Sequence, residues 1–280
     1  MSTSNLPNLI IIGAMKCATT SLHYYLDQHP DIFMSRHKEL NFFIDERNWS
    51  YGRDWYCTHF GGQGKIWDEA SPNYTAYPRF QNVAQRMHNV LPNAKLIYLV
   101  RDPIERIVSH YLHLYTNGHE QQSPPEALQN LEENKYVLRS QYYMQLEQYL
   151  KYYPLDQILV LQTESLQVQR RETLAIVFYF LGVDSSFDSS KFKKVKHPTR
   201  QKRRLNRVGQ MIRGFSERHL HPQHPDIQRY LIKLLCTPFS RRVVTPTLDE
   251  NLRRRLQEAL FHDMARLRGL TGQPFAGWSV

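Results

Sequence analysis

Residues 9–22 read LIIIGAMKCATTSL, and the order of residue types in this stretch decides the fold class. Leu9 to Ile12 is an unbroken apolar run rich in β-branched side chains, the pattern of a strand buried on both faces of a parallel sheet. Gly13 opens a loop of small residues, and from Thr19 to Gln28 the periodicity becomes helical, with Leu22, Tyr25 and Leu26 on one face and a stop near His29-Pro30. A strand that turns through small residues into a helix points backbone N–H groups and the positive helix end at one spot. Lys16 adds a full charge there, and Thr19, Thr20 and Ser21 add hydroxyl donors. The stretch from Gly13 through Ala14, Met15, Lys16, Cys17 and Ala18 to Ser21 is therefore a candidate anion cradle. The plainer reading is an ordinary strand-to-helix turn. A nucleotide triphosphate loop of the Walker A kind needs glycine and lysine just before its Ser/Thr. Those places hold Ala18 and Thr19, and the lysine comes earlier.

Working outward, Asp31 to Met34 reads as a short strand before the polar turn SRHKE. KLIYLV (Lys95 to Val100) is a second buried strand, followed by RDP and a helix from about Pro103 to Tyr115. QILVL (Gln157 to Leu161) is a third, after an amphipathic helix around Ser140 to Tyr152. Alternating strands and helices imply a three-layer α/β fold around a central parallel β-sheet flanked by helices. The polar link 118–134 reads as an exposed loop or mobile lid. A final helix, about 248–268, is expected from a capping box of Thr247 and Glu250, an apolar stripe of Leu252, Leu256, Leu260 and Leu267, and a stop at Gly269. We expect one domain over residues 1–280.

In VRDPIERIVSHY, Arg101 sits where a buried strand ends, the usual ligand edge of an open α/β sheet. Asp102 is placed to cap the next helix, with Pro103 at its first position. Arg101 and Ser109 are positioned to converge on a second phosphate, one through a guanidinium fork and the other through a hydroxyl. The rival reading makes LIYLVRD a Walker B strand with Asp102 holding magnesium for a kinase. The proline after Asp102 and the early Lys16 both speak against it.

The 280 residues are 41% hydrophobic, an ordinary globular share, and carry a net charge of +10 that favours anionic partners. The stretch 191–213 contains ten basic residues and no acidic one, and is the nearest candidate for a flexible segment. It lacks the aromatic interleaving of a nucleic-acid arm, so no nucleic-acid partner is expected. Three scattered cysteines show neither zinc spacing nor a disulfide framework, which fits a reducing compartment and no bound metal. No apolar run reaches membrane length, and the N-terminus lacks a basic n-region. The expectation is a soluble cytoplasmic protein without stable membrane insertion, its oligomeric state open.

The two loops together resemble the 5′-phosphosulfate and 3′-phosphate motifs of sulfotransferases that use 3′-phosphoadenosine-5′-phosphosulfate (PAPS). The segments HKELNFF, DWY, DEASPNY and PNAKLIYLVRDP follow in the order found in the branch of the heparan sulfate enzymes and many bacterial relatives. The similarity covers most of residues 8–182. It implies a P-loop-like sulfotransferase fold, PAPS as cosubstrate and PAP as product. It also implies transfer of the sulfuryl group to a hydroxyl, less readily an amine, of a small-molecule, lipid or glycan acceptor. Lys16 with residues Cys17 to Ser21 would hold the 5′-phosphosulfate, Arg101 and Ser109 the 3′-phosphate, and Glu39 would be the general base. Histidines His37, His59 and His110 are alternative bases. The basic stretch, with His197, Arg200, Lys202 and Arg203, falls where such enzymes close a loop over the nucleotide. Tyr74, Tyr77, Trp49, Trp55 and Trp67 are candidates to line an acceptor cleft, although core packing is their commoner fate.

Three positions depart from the pattern: Ala18 stands where glycine is usual, Ala70 where the heparan-type enzymes have a second lysine, and Asn41 where some have histidine. A small-molecule kinase and a non-catalytic nucleotide- or polyanion-binding relative are the alternatives.

Overall fold

The computed structural model describes residues 5–35, 37–61, 63–193, 203–219 and 235–280. Its centre is a five-stranded sheet built from β1 (Leu9–Gly13), β2 (Ile32–Met34), β3 (Ile66–Ala70), β4 (Lys95–Val100) and β5 (Ile158–Gln162), in the order β2-β3-β1-β4-β5. All four pairings are parallel. Parallel neighbours need crossovers, and the chain supplies helices between strands: α1 (Thr19–Leu26), α2 (Gly52–Cys57), α3 (Val83–Val90), α4 (Pro103–Thr116), α5 (Pro124–Ala127), α6 (Lys135–Leu138) and α7 (Tyr142–Leu150). After β5 come α8 (Thr163–Val168), α9 (Arg170–Leu181), α10 (Arg207–His219) and a C-terminal helix, Glu250–Thr271. The three-layer α/β expectation holds.

The central position of β1 follows from its sequence. Leu9, Ile10, Ile11 and Ile12 are all 0% exposed, which a strand with neighbours on both edges and helices on both faces requires. Its neighbours β3 and β4 end beside it, so the loops that leave β1 and β4 open side by side at the same edge of the sheet. Their spacing is tied by a hydrogen bond from Ala14 N to Leu99 O at 2.6 Å.

The strand β3, IWDEA, was not expected as a strand. Two adjacent acids break its apolar run, yet Asp68 and Glu69 are both fully buried. The final helix also differs in its ends. Asp249, not Thr247, caps it by accepting from Leu252 N at 2.8 Å. The helix passes Gly269 and stops at Gly272, which adopts the left-handed conformation at φ 66°. A mid-helix glycine costs only about 1 kcal/mol, less than burying Leu267 returns. Leu252, Leu256 and Leu260 of this helix form a second core with Ile104, Ile107, Tyr136 and Val137.

The link 118–134 is not a free lid. Glu120, 8% exposed, accepts from Tyr136 Oη at 2.7 Å, Lys135 Nζ at 3.2 Å and Gln121 N at 3.0 Å, and Ser123 with Glu126 forms a capping box on α5. Within the basic stretch, Arg203–Leu205 pairs antiparallel with Ser240–Arg242. His197, Arg200 and Lys202 lie outside the described residues.

Candidate active site

The loop after β1 is tightly wound. Cys17 N donates to Ala14 O at 3.1 Å, and Ser21 N and Leu22 N both donate to Ala18 O, at 2.9 and 3.1 Å. Gly13 has no alternative, because a Cβ there would sit 2.0 Å from Thr75 Oγ1. Lys16 and Ala18 adopt left-handed backbone, at φ 74° and 60°. The departure at Ala18 is thus a real one: the turn asks for glycine and carries a methyl, at a cost of about 1–2 kcal/mol.

The side chains of this loop divide between core and mouth. Cys17 is fully buried with its Sγ 3.7 Å from Tyr142 Oη, and burial raises its thiol to about 11. It is a packed, protonated thiol, so only its backbone is available to a ligand. Thr19 is also buried. Thr20 faces outward, its Oγ1 accepting from Lys38 Nζ at 3.0 Å. Burial, and after it the charge of Arg101, holds the Lys16 ammonium below the usual lysine range, while Glu39 pulls the other way. Lys16 therefore stands within electrostatic reach of both Arg101 and Glu39.

Arg101 begins the second loop. Its Nη2 lies 3.6 Å from Glu105 Oε2, and its Nε is buried with no hydrogen-bond partner among the described residues. A buried guanidinium N–H without an acceptor is costly, and here it sits at the ligand edge of the sheet. Asp102 caps α4 by accepting from Glu105 N at 2.9 Å, and its other oxygen accepts from Ser279 N. Both carboxylate oxygens are thus engaged by backbone, which removes the basis for a magnesium-binding Walker B aspartate. Ser109 is buried on α4.

Two residues that the sequence reading did not single out join the loops. Tyr142 Oη donates to Arg101 O at 2.9 Å while lying against Cys17. Arg106 is 0% exposed. It donates from Nε to Ser140 Oγ at 2.5 Å, from Nη1 to Met15 O at 3.4 Å, and from Nη2 to Tyr136 O. It is a structural bolt under the first loop. Arg139, 7% exposed, lies beside it and reaches Met15 Sδ at 2.8 Å and Asn73 Oδ1 at 3.2 Å. Neither partnership was visible without the topology.

Glu39 projects from a turn opposite the first loop. Its side chain is 48% exposed and pairs with Lys38 Nζ at 3.3 Å, and its backbone is left-handed at φ 65°. The turn is held from behind. Glu39 N donates to Ala70 O at 3.0 Å, Asn41 Nδ2 donates to Glu39 O at 2.6 Å, and Asn41 N donates to Ser71 Oγ at 2.9 Å. Ser71 donates in turn to Glu69, which also accepts from Tyr56 Oη at 3.0 Å and Tyr74 Oη at 2.8 Å. Burial raises the Glu69 carboxyl to about 7 against the pull of these donors. Asn41 thus acts as a brace for the turn.

The alternative bases fare less well. His110 is buried against the Tyr136 ring, and burial followed by Arg106 keeps it well below the usual histidine range. His37 and His59 pack edge to face at 5.7 Å, and His59 also meets the Trp55 ring at 4.5 Å. Of the aromatic candidates, Tyr74 is committed to Glu69, and Trp49 and Trp55 pack on Phe42. No group of three or more His, Cys, Asp or Glu suited to a metal ion occurs among the described residues. No helix among them is long and apolar enough to cross a membrane.

Comparison with known proteins fits this geometry. The sulfotransferase domain family matches residues 6–233. A membrane-associated sulfotransferase, kil1, of Dictyostelium discoideum is 43% identical over 111 residues, 38% of this chain and 22% of that protein. The human bifunctional heparan sulfate N-deacetylase/N-sulfotransferase 1 is 29% identical over 209 residues, 66% of this chain and 23% of that protein. The chain thus spans under a quarter of the length of these relatives. The crystal structure of a sulfotransferase from Alicyclobacillus acidocaldarius superposes with a TM-score of 0.70 at 26% identity, covering 98% of this chain and 99% of that one. With the paired loops at one sheet edge and the family match over most of its length, the chain belongs to the sulfotransferase family.

Proposed function

We propose that this sulfotransferase takes its sulfuryl group from PAPS and passes it in line to an acceptor hydroxyl, with Glu39 as general base. The observation that carries the reading is that the loops leaving β1 and β4 open at one sheet edge, where the Lys16 ammonium lies within electrostatic reach of both Arg101 and Glu39. A donor lying along the sheet edge would place its 5′-phosphosulfate in the Gly13–Ser21 cradle and its 3′-phosphate toward Arg101 and Ser109. The orphaned Nε of Arg101 supports an anion at that end. The acceptor oxygen attacks sulfur as the bond from sulfur to the 5′-phosphate oxygen breaks. Glu39 takes the acceptor proton, and Lys16 neutralises the oxygen that departs with PAP. The leaving group is good, so a carboxylate and a cation suffice.

The acceptor class stays broad: a small alcohol, a lipid or a glycan. Three free thiols, two of them buried, support a reducing, cytoplasmic setting. The test is transfer of labelled sulfate from PAPS across an acceptor panel, together with PAP binding by calorimetry. Lys16→Ala is expected to lower kcat/KM about 100- to 1,000-fold, and Glu39→Gln about 100- to 10,000-fold. Magnesium-dependent ATP turnover without a need for the 3′-phosphate would instead establish the kinase alternative. PAP binding without turnover on any acceptor would establish the non-catalytic one.

A further inference from the structure

The Lys38 ammonium joins two elements that the proposed reaction must bring together. It donates to Thr20 Oγ1 of the first loop at 3.0 Å and to Glu39 Oε1 of the opposing turn at 3.3 Å. Its side chain is 21% exposed, less than half the exposure of its carboxylate partner. Titratable groups of three other elements lie within its electrostatic reach. They are Lys16 of the first loop, Asp68 of β3 and His23 of α1. An ammonium has three donors, and hydrogen bonds to described residues occupy two of the three. The neighbouring end of β3 offers no cation, since Ala70 stands there with its methyl fully buried.

An ordinary exposed ion pair between adjacent residues contributes little. This one differs because the same ammonium also reaches a hydroxyl of the loop that faces it across the site. We propose that Lys38 is a second catalytic cation, lying across the path between the donor cradle and the base and contacting the oxygens of the sulfuryl group in flight. This rests on the reading of the protein as a PAPS-dependent enzyme. In the resting site the ammonium is shared with the Glu39 carboxylate. As the acceptor oxygen bonds to sulfur, its proton passes to Glu39, and the electron pair of the breaking bond goes to the 5′-phosphate oxygen beside Lys16. The neutralised Glu39 then releases its hold on Lys38, whose charge turns to the sulfuryl oxygens. The interaction is therefore stronger in the transition state than before it, which is the condition for raising kcat.

The experiment follows labelled PAPS with water as acceptor, so no acceptor need be known: the sulfuryl group becomes sulfate and PAP is released. PAP affinity is measured in parallel by calorimetry. Lys38→Met is expected to lower kcat about 100-fold, with KM for PAPS within about threefold and PAP affinity within about twofold, the signature of an interaction made only in the transition state. Lys38→Arg, which keeps the charge, is expected to recover about tenfold of that loss. An unchanged kcat in Lys38→Met overturns the proposal. So does a loss of PAP affinity as large as the loss of rate, or a lack of rescue by arginine. A wild-type protein that binds PAP but transfers sulfate neither to water nor to any acceptor of the panel overturns it too. A wild-type protein that does not bind PAP removes the PAPS reading itself, and this proposal with it.

Discussion

The two sides of the site hold their charged groups by opposite means. On the side of the first loop, cations are held by burial: Arg106 is sealed at 0% exposure under Met15, and Lys16 is depressed chiefly by desolvation. On the side of the turn, the carboxylate of Glu39 is nearly half exposed and pairs with Lys38, while its backbone is held by hydrogen bonds. The fixing runs through Asn41 and Ser71 to a second carboxylate, Glu69, that solvent never reaches. The difference teaches where each side is vulnerable. The loop side depends on packing, and the turn depends on the hydrogen bonds of one buried acid.

The largest expected effect therefore falls on the turn. Glu69→Ala leaves the hydroxyls of Tyr56, Tyr74 and Ser71 without their acceptor, and we expect a loss of about 3 kcal/mol in urea unfolding. The pH dependence separates charge from packing. The folded Glu69 carboxyl is raised from 4.5 to about 7, so the folded state binds the proton more tightly than the unfolded one. Its contribution is full below about pH 4.5 and declines as pH rises through about 7. Asp263, raised to about 6 by burial, and Asp68, raised in the same direction, add slopes of the same sign. Glu69→Gln should flatten the stability curve between pH 5 and 7 relative to wild type while those two contributions persist. An unchanged slope would show that Glu69 is not titrating in that window.

This contrast also explains what could be read from the sequence. The loop side was largely legible. LIIIG and KLIYLV are uninterrupted apolar runs, and RDP announces a cap that Asp102 does make. The motif residues Lys16 and Arg101 come together because their strands are neighbours. The turn side was legible only at Glu39 itself. Its support lies in IWDEA, whose two acids disguise a buried strand, and in Ser71 and Asn41, which meet where the turn after β2 packs on the end of β3. Tyr142 and Arg106 were missed for a related reason. Each reaches loops far from it in sequence, and no periodicity records such a contact. The division of the loop side chains was invisible as well: nothing in CATTS says that Cys17 and Thr19 turn inward while Thr20 faces Lys38.

A smaller effect tests the coupling of the two loops. The hydroxyl of Tyr142 touches both Cys17 and the backbone of Arg101. Tyr142→Phe keeps the ring in its place and deletes only that bridge. The expected cost is about 1 kcal/mol of stability. If the bridge also sets the spacing of the loops, PAP affinity should fall severalfold in calorimetry while the exposed turn at Glu39 is unaffected. Affinity equal to wild type would mean that the loops are spaced by the sheet alone.

The smallest effect should be a gain. Ala18 caps α1 at φ 60° and ψ 20°, a conformation that costs an L-residue about 1–2 kcal/mol. Glycine avoids that cost but adds about 0.4–1 kcal/mol of unfolded-state entropy, so Ala18→Gly should raise stability by roughly 0.5–1 kcal/mol. For a chain of this size that corresponds to a shift in Tm of about 1–4 °C. The same substitution reports on function. If the alanine stiffens a loop that must close on an anion, glycine will alter PAP affinity as well as Tm. If the methyl is merely tolerated, Tm will rise and affinity will stay. A fall in Tm would mean that the methyl makes packing contacts worth more than the backbone strain. The loop side would then be held by burial even at its most strained residue.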